Sequence, residues 1–232
     1  MCNAYGHENT RAYRNLQQLA LRLAAAGFDV LRFDYHGTGN SSGSCEECRA
    51  ESFRADTRHM AQYLQEVSHC SRLSVVGVRL GATIAATADL PNVEQLLLWD
   101  PVVDARMMLS TFQHLQDYAL TSQNRFARVI PSPREELYGH ACSEQKLSSL
   151  SSLKLPSKPM PGGVILTSDG YRATEPRFAS LKGWEVHETS DAIHWHDPLF
   201  TESAFASPDA FRMIHNLLYN CHAPCAAEQG PK

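Results

Sequence analysis

The sequence predicts an α/β fold: a mainly parallel sheet with helices on both faces and a helical cap insertion. Three observations carry this. Strand-like and helix-like segments alternate along most of the 232 residues, the pattern of a parallel sheet wrapped by its crossover helices. The runs VEQLLLW and GGVILTS are apolar almost throughout, as central strands covered on both faces are. Finally, VVGVRLGAT reads as a strand that passes through a glycine-flanked turn straight into a helix.

Taken in order, Leu16, Leu19, Ala20 and Leu23 fall at helical spacing, and Gly27 ends that helix. FDVLRF follows as a short strand and DYHGTGNSSG as a glycine-rich turn. Met60, Tyr63, Leu64 and Val67 repeat the helical spacing. RLSVVG is the next strand, LGATIAATA a small-residue helix, and VEQLLLW, GGVILTS and GWEVHET three further strands. The last helix is expected to take Ser207 as N-cap and Pro208 as its first residue, burying Phe211, Ile214, Leu217 and Leu218.

Residues 104–160 break the rhythm, with helical pieces and serine-rich turns but no convincing strand. An insertion there would lie over the carboxyl ends of the strands, where sites form in open α/β sheets. The core is therefore expected in two parts, 1–103 and 161–222, around a cap at 104–160, with a tail at 223–232.

Formal net charge is −4 and the isoelectric point about 6.2, so no global basic field recruits nucleic acid. No run of 18 apolar residues forms a membrane span, and the N-terminus lacks a signal-peptide apolar region. A cytoplasmic location is the expectation. Seven scattered cysteines do not form a disulfide framework. Cys45 and Cys48 make a C-x-x-C, with His59 and Cys70 downstream, but the second ligand pair of a zinc site is missing. The stretch reads as a surface loop with two free thiols, and neither metal nor cofactor is expected.

Glycines two before and two after Arg79 let a strained turn approach its neighbours without a Cβ clash. This is the layout of a nucleophile elbow, with arginine where a serine is usual. A guanidinium stays protonated and has no acceptor, so it serves neither as nucleophile nor as general base. It is suited to a carboxylate, either Asp169 as a bidentate partner or an anionic ligand at the helix N-terminus. GTGNSSG is no phosphate loop, because no lysine follows in P-loop spacing.

These motifs resemble the α/β-hydrolase superfamily, especially the serine-aminopeptidase-like and the exosortase-A-system-associated hydrolases. The likeness begins in CNAYGHENTRAYRNLQQLALRLAAAGFDVLRFDYHGTGNSSG, where such families carry an N-P-x-G-x-E-like loop and an RFDYRGTGDSxG turn. It continues through GVRLGA, LLLWDPVVD and ELYGHACSEQKLSSLSSLKL, and fades after about Leu155. One exosortase-associated branch also carries G-x-R-x-G at the elbow. The chain starts at what would be the end of the third strand of the fold, so the fold is expected to be N-terminally shortened. That implies a truncated reading frame, or a sheet completed by a partner, a homo-oligomer included. Ala4 stands where the family tends to have proline.

The resemblance implies an ester, thioester or amide substrate, with a place in exopolysaccharide assembly. It puts the triad acid at Asp169, with Asp100 as the alternative, and the histidine at His194 or His196, His194 being nearer the strand end. The backbone of Leu80 and Tyr5 would form the oxyanion hole. Three readings stay open: a hydrolase with an altered mechanism acting on a small-molecule or acyl substrate, a pseudo-hydrolase holding an anionic ligand or partner through Arg79, and an inactive truncated product.

Overall fold

The computed structural model describes residues 1–121, 136–197 and 207–222. Four strands, β1 (Leu73–Val78), β2 (Val93–Trp99), β5 (Gly163–Asp169) and β6 (Glu185–Ala192), form one parallel sheet in the order β1-β2-β5-β6. Two-residue strands β3 (Glu136–Leu137) and β4 (His140–Ala141) make a separate antiparallel hairpin. The helices are α1 (His7–Ala25), α2 (Ala50–Ser68), α3 (Leu80–Thr87), α4 (Ala105–Thr121), α5 (Glu144–Ser151), α6 (Tyr171–Thr174) and α7 (Pro208–His222).

The apolar runs become the central strands because nothing else in the chain could fill both faces of a sheet. Leu96, Leu97, Leu98 and Trp99 of β2 are all buried, as are Val164, Ile165 and Leu166 of β5. α1 covers one face with Ala12, Leu16, Leu19 and Leu23, and α7 adds Ala210, Phe211, Ile214 and Leu218. α3 is buried over Leu80–Ala86, and its small side chains let it pack close against β1. A second core gathers Tyr5, Tyr35, Phe53, Leu80, Ile84, Phe112 and Leu150 beneath the inserted segment. None of the described helices is long and apolar enough to cross a membrane.

Several expectations are corrected. Among the described residues FDVLRF forms no strand and joins no ladder, and the first three residues run beside it. The Met1 amine donates to the Leu31 carbonyl (2.7 Å) and Asn3 Nδ2 to the Phe33 carbonyl (2.7 Å). Cys2 in turn pairs with β1, its amide 2.8 Å from the Val76 carbonyl. Beyond it a cavity of about 510 Å³ opens between Val30, Leu31, Leu73 and Val76.

α2 buries only part of the stripe its spacing gave. Ala50, Phe53 and Thr57 are its buried residues, and Leu64 with Ala61 packs partly buried on the core, whereas Tyr63 and Val67 are 47% and 54% exposed. The first two turns are the most deeply docked, which the spacing of the later residues does not reveal. Ser207 is not the side-chain cap of α7 either. Its Oγ has no hydrogen-bond partner among the described residues, and the Asp191 carboxylate reaches over from β6 to the amides of Asp209 (3.4 Å) and Ala210 (2.7 Å).

Between β2 and β5 the chain forms α4, the hairpin and α5. Phe112 of α4 and Tyr138 of the hairpin both pack edge-on against the His7 ring, with centroids 4.4 and 4.7 Å apart. The inserted segment thus lies over the amino end of α1 at the site described next.

Candidate active site

Arg79 stands at the β1–α3 turn with φ 54° and ψ −124°, a strained conformation for a residue with a side chain. Its backbone is held on both sides: its amide donates to the Trp99 carbonyl (3.0 Å), and its carbonyl accepts from Ala82 (3.1 Å). The flanking glycines are sterically required. A Cβ at Gly77 would lie 2.5 Å from Ala82 Cα, and one at Gly81 only 2.2 Å from the Asn3 carbonyl oxygen. The turn therefore has the backbone of a nucleophile elbow.

The guanidinium is buried, and its partner is Glu8 at the start of α1. Nε and Nη2 donate to Glu8 Oε1 at 3.0 and 2.8 Å, and Nη1 donates to the Asp100 carbonyl at 3.0 Å. The rings of Trp195 and Tyr171 lie 5.1 and 5.7 Å from the guanidinium carbon, adding cation–π contact. Burial opposes the charge on Arg79, but the Glu8 carboxylate outweighs it and holds the guanidinium charged. Burial likewise pushes the Glu8 carboxyl up, yet Arg79 and the His196 contact overcome this and hold it at about 2.

His196 completes the cluster. Its Nε2 is 2.8 Å from Glu8 Oε1 and 3.1 Å from Arg79 Nη2. One ring nitrogen cannot both donate to the carboxylate and accept from the guanidinium. The shorter contact, to an ionised oxygen, assigns Nε2–H as the donor to Glu8. The imidazole keeps an open side, with 32% of its side chain exposed. Arg11 of α1 fixes the loop that carries it, donating from Nη1 to the carbonyls of His194 (2.6 Å) and Trp195 (3.0 Å).

His196 is thus the histidine brought to Arg79, while the His194 side chain is exposed and meets the site through its carbonyl. Trp195 and His196 lie in a turn after β6, which breaks the alternation that would otherwise put His194 and His196 on one side. Asp169 lies exposed at the end of β5 and makes no side-chain hydrogen bond or ion pair among the described residues. Asp100 is the buried acid of this region. Its carboxylate accepts from the Ser168 amide (2.7 Å), Ser168 Oγ (2.6 Å) and Trp195 Nε1 (2.8 Å). Burial pushes its pKa above the ordinary carboxylate value despite these bonds.

The Leu80 amide begins α3, where helix N–H groups have no intrahelical acceptor, and Tyr5 is buried in the facing segment. Glu8 and His7 were the residues whose contribution the sequence did not disclose. Glu8 matches the last position of the N-P-x-G-x-E-like loop, the one signal that could have singled it out. Glu8 Oε2 and both His7 ring nitrogens are buried without a hydrogen-bond partner among the described residues, and burial drives the His7 ring to about 4, hence neutral. Among the described residues no group of three or more His, Cys, Asp or Glu is arranged to hold a metal ion.

Comparison with known proteins fits this architecture. Residues 7–151, more than half of the chain, match the family Serine aminopeptidase, S33. No curated protein matches the sequence. Among solved structures, the proline iminopeptidase-related protein from Thermus thermophilus superposes with a TM-score of 0.57 at 18% identity, over 94% of this chain and 87% of that one. A monoacylglycerol lipase from Paleococcus ferrophilus gives 0.53 at 18% identity, over 90% of each chain. A putative hydrolase from Agrobacterium vitis gives 0.52 at 16% identity, over 95% and 85%. At such identities the likeness establishes the shared fold. The family match and the elbow geometry agree, and the chain belongs to the serine aminopeptidase S33 family of α/β-hydrolases.

Proposed function

We propose that this protein is a pseudo-hydrolase: it keeps the hydrolase fold and the elbow backbone but does not form a serine acyl-enzyme. The observation that carries this is the Arg79–Glu8 ion pair at the elbow, with Nη2 and Oε1 2.8 Å apart and both side chains buried. Acyl transfer through a covalent intermediate needs an activated hydroxyl or thiol at that point, and a guanidinium supplies neither. Glu8 also occupies the guanidinium edge that an external anion would take. An anionic ligand binds Arg79 only by displacing Glu8, and the open side of His196 is the part of the cluster that a ligand can reach directly. Within the inserted segment, α4 and the β3–β4 hairpin, packed on His7, act as a lid over this cluster. The resemblance to exosortase-associated hydrolases, G-x-R-x-G included, supports a role in exopolysaccharide assembly.

A second reading rests on the His196–Glu8 contact. A carboxylate that orients an imidazole is half of a hydrolytic triad, and with Arg79 as electrostatic stabiliser it could direct water onto an ester, thioester or amide.

A fluorophosphonate probe separates the two. The unaltered protein is expected to remain unlabelled and to turn over p-nitrophenyl acetate no faster than buffer. Labelling that maps to a serine overturns the proposal. Turnover without labelling, lost in His196→Ala, establishes the second reading instead. An Arg79→Ser variant that labels would show that arginine alone blocks the covalent route.

A further inference from the structure

The C-x-x-C segment is not the exposed loop its composition suggested. Cys45 opens a single 3-10 turn, Cys45–Glu47, capped by Ser44. Its thiol is half-buried, while Cys48 is fully buried. Against it lies Lys146 of α5, with no exposed surface at all. Lys146 Nζ donates to Cys45 Sγ at 2.9 Å and to the Ala141 carbonyl at 2.8 Å, and sits 5.5 Å from the centre of the Tyr5 ring. Among the described residues no carboxylate comes within ion-pair distance of it.

A buried ammonium without a counter-ion is costly. Cys45 is the thiol that Lys146 touches, and a lysine beside a thiol is the environment that makes cysteines reactive; the thiols of Cys48 and Cys142 also lie within the reach of its charge. Cys45 is accessible to a small reagent, and Cys48 stands behind it. Burial pushes the Cys48 thiol up to about 11, and the neighbouring Cys45 thiol adds to the effect. The pair therefore consists of an accessible, lysine-backed sulfur and a shielded second sulfur three residues on.

We propose that Cys45, activated by Lys146 and resolved by Cys48, is a site of reversible oxidation by hydroperoxides. The Cys45 thiolate attacks one oxygen of hydrogen peroxide. An S–O bond forms, the O–O bond breaks, and the leaving hydroxide takes a proton to become water. Cys48 then gives up its proton and its sulfur attacks Cys45 Sγ. The S–S bond forms as the S–O bond of the sulfenic acid breaks, releasing a second water. Two thiols and one peroxide yield one disulfide and two waters; the sulfurs lose the two electrons that the peroxide gains. The disulfide takes Cys45 away from Lys146 and leaves that ammonium without an anionic neighbour, where Tyr5 meets the β3–β4 hairpin.

The test is the rate of iodoacetamide alkylation at Cys45 at pH 7 in the full chain, read by peptide mass spectrometry against the exposed Cys70, followed by treatment with one equivalent of hydrogen peroxide. Cys45 is expected to alkylate about tenfold faster than Cys70, and Lys146→Met slows its alkylation by about tenfold or more. Peroxide is expected to give a Cys45–Cys48 disulfide that dithiothreitol reverses, and in Cys48→Ser a sulfenic acid at Cys45 that dimedone traps. Alkylation of Cys45 no faster than of Cys70, or peroxide-treated protein whose Cys45 stays reduced or pairs elsewhere, overturns the proposal. The rate ratio in the unaltered protein decides the matter even where Lys146→Met fails to fold.

Discussion

Glu8 and Arg79, 71 positions apart in sequence, meet as a buried ion pair with Nη2 2.8 Å from Oε1. Neither end is tolerable alone. The carboxylate has 0% exposed side-chain surface and the guanidinium 3%, so each is the other's main compensation for lost water.

Removing one member should therefore cost more than removing both. Arg79→Met is expected to lower unfolding free energy by about 3–5 kcal/mol, as for other broken buried pairs. Glu8→Met combined with Arg79→Met should recover most of that loss. Urea denaturation of the two single variants and the double variant measures the coupling. Simple additivity would mean that the pair does not act as a unit.

Acid stability should fall in two stages. The His7 ring titrates at about 4 in the fold against an ordinary 6.5, chiefly because burial disfavours its charged form. A depressed value means stability that is complete above pH 6.5 and lost as pH falls toward 4. Glu8 titrates at about 2 against 4.5, because Arg79 and His196 outweigh its burial; its contribution is complete above pH 4.5 and lost toward pH 2. Each is worth roughly 3 kcal/mol at most. Asp100, raised by burial, works in the opposite sense and softens the slope. In a pH series of urea unfolding, His7→Phe should flatten the curve between 6.5 and 4 while leaving the lower stage in place.

Gly81→Ala should destabilise the elbow by about 3 kcal/mol, since the new Cβ would lie 2.2 Å from the Asn3 carbonyl oxygen and 2.5 Å from that of Cys2. Both obstacles are backbone and cannot swing aside. Gly139, whose added Cβ would meet nothing within 4 Å among the described residues, has its positive φ of 82° to restrict it. Comparing the thermal midpoints of Gly81→Ala and Gly139→Ala separates steric obstruction from backbone preference, and the first should be much the lower.

Asp191→Ala should cost about 1 kcal/mol, the usual value of a lost N-cap, because its carboxylate serves the first amides of α7. Ser207→Ala should change stability by less than about 0.5 kcal/mol. Chemical denaturation of the two variants checks this ranking; the reverse order would restore Ser207 as the cap.

Local patterning settled the strands and the elbow. VEQLLLW has no amphipathic face, so it could only be a covered strand, and Gly77 and Gly81 bracket a turn that no Cβ would survive. Those properties belong to a few adjacent residues and are read where they stand. The partners belong to the tertiary structure. Nothing near Arg79 in sequence indicates Glu8, because the carboxylate comes from another helix and is chosen by proximity in space and by the cost of an unpaired buried charge. His196 over His194 was decided by the turn at Trp195–His196, which breaks the alternation of the preceding strand and brings His196 inward. Asp191 over Ser207 was decided by which oxygen reaches the free amides first. Whether the apolar run at 28–33 enters a ladder depends on long-range pairing, which its own pattern does not specify. The chain's own residues thus determined where its site would form, and only packing determined which charges close it.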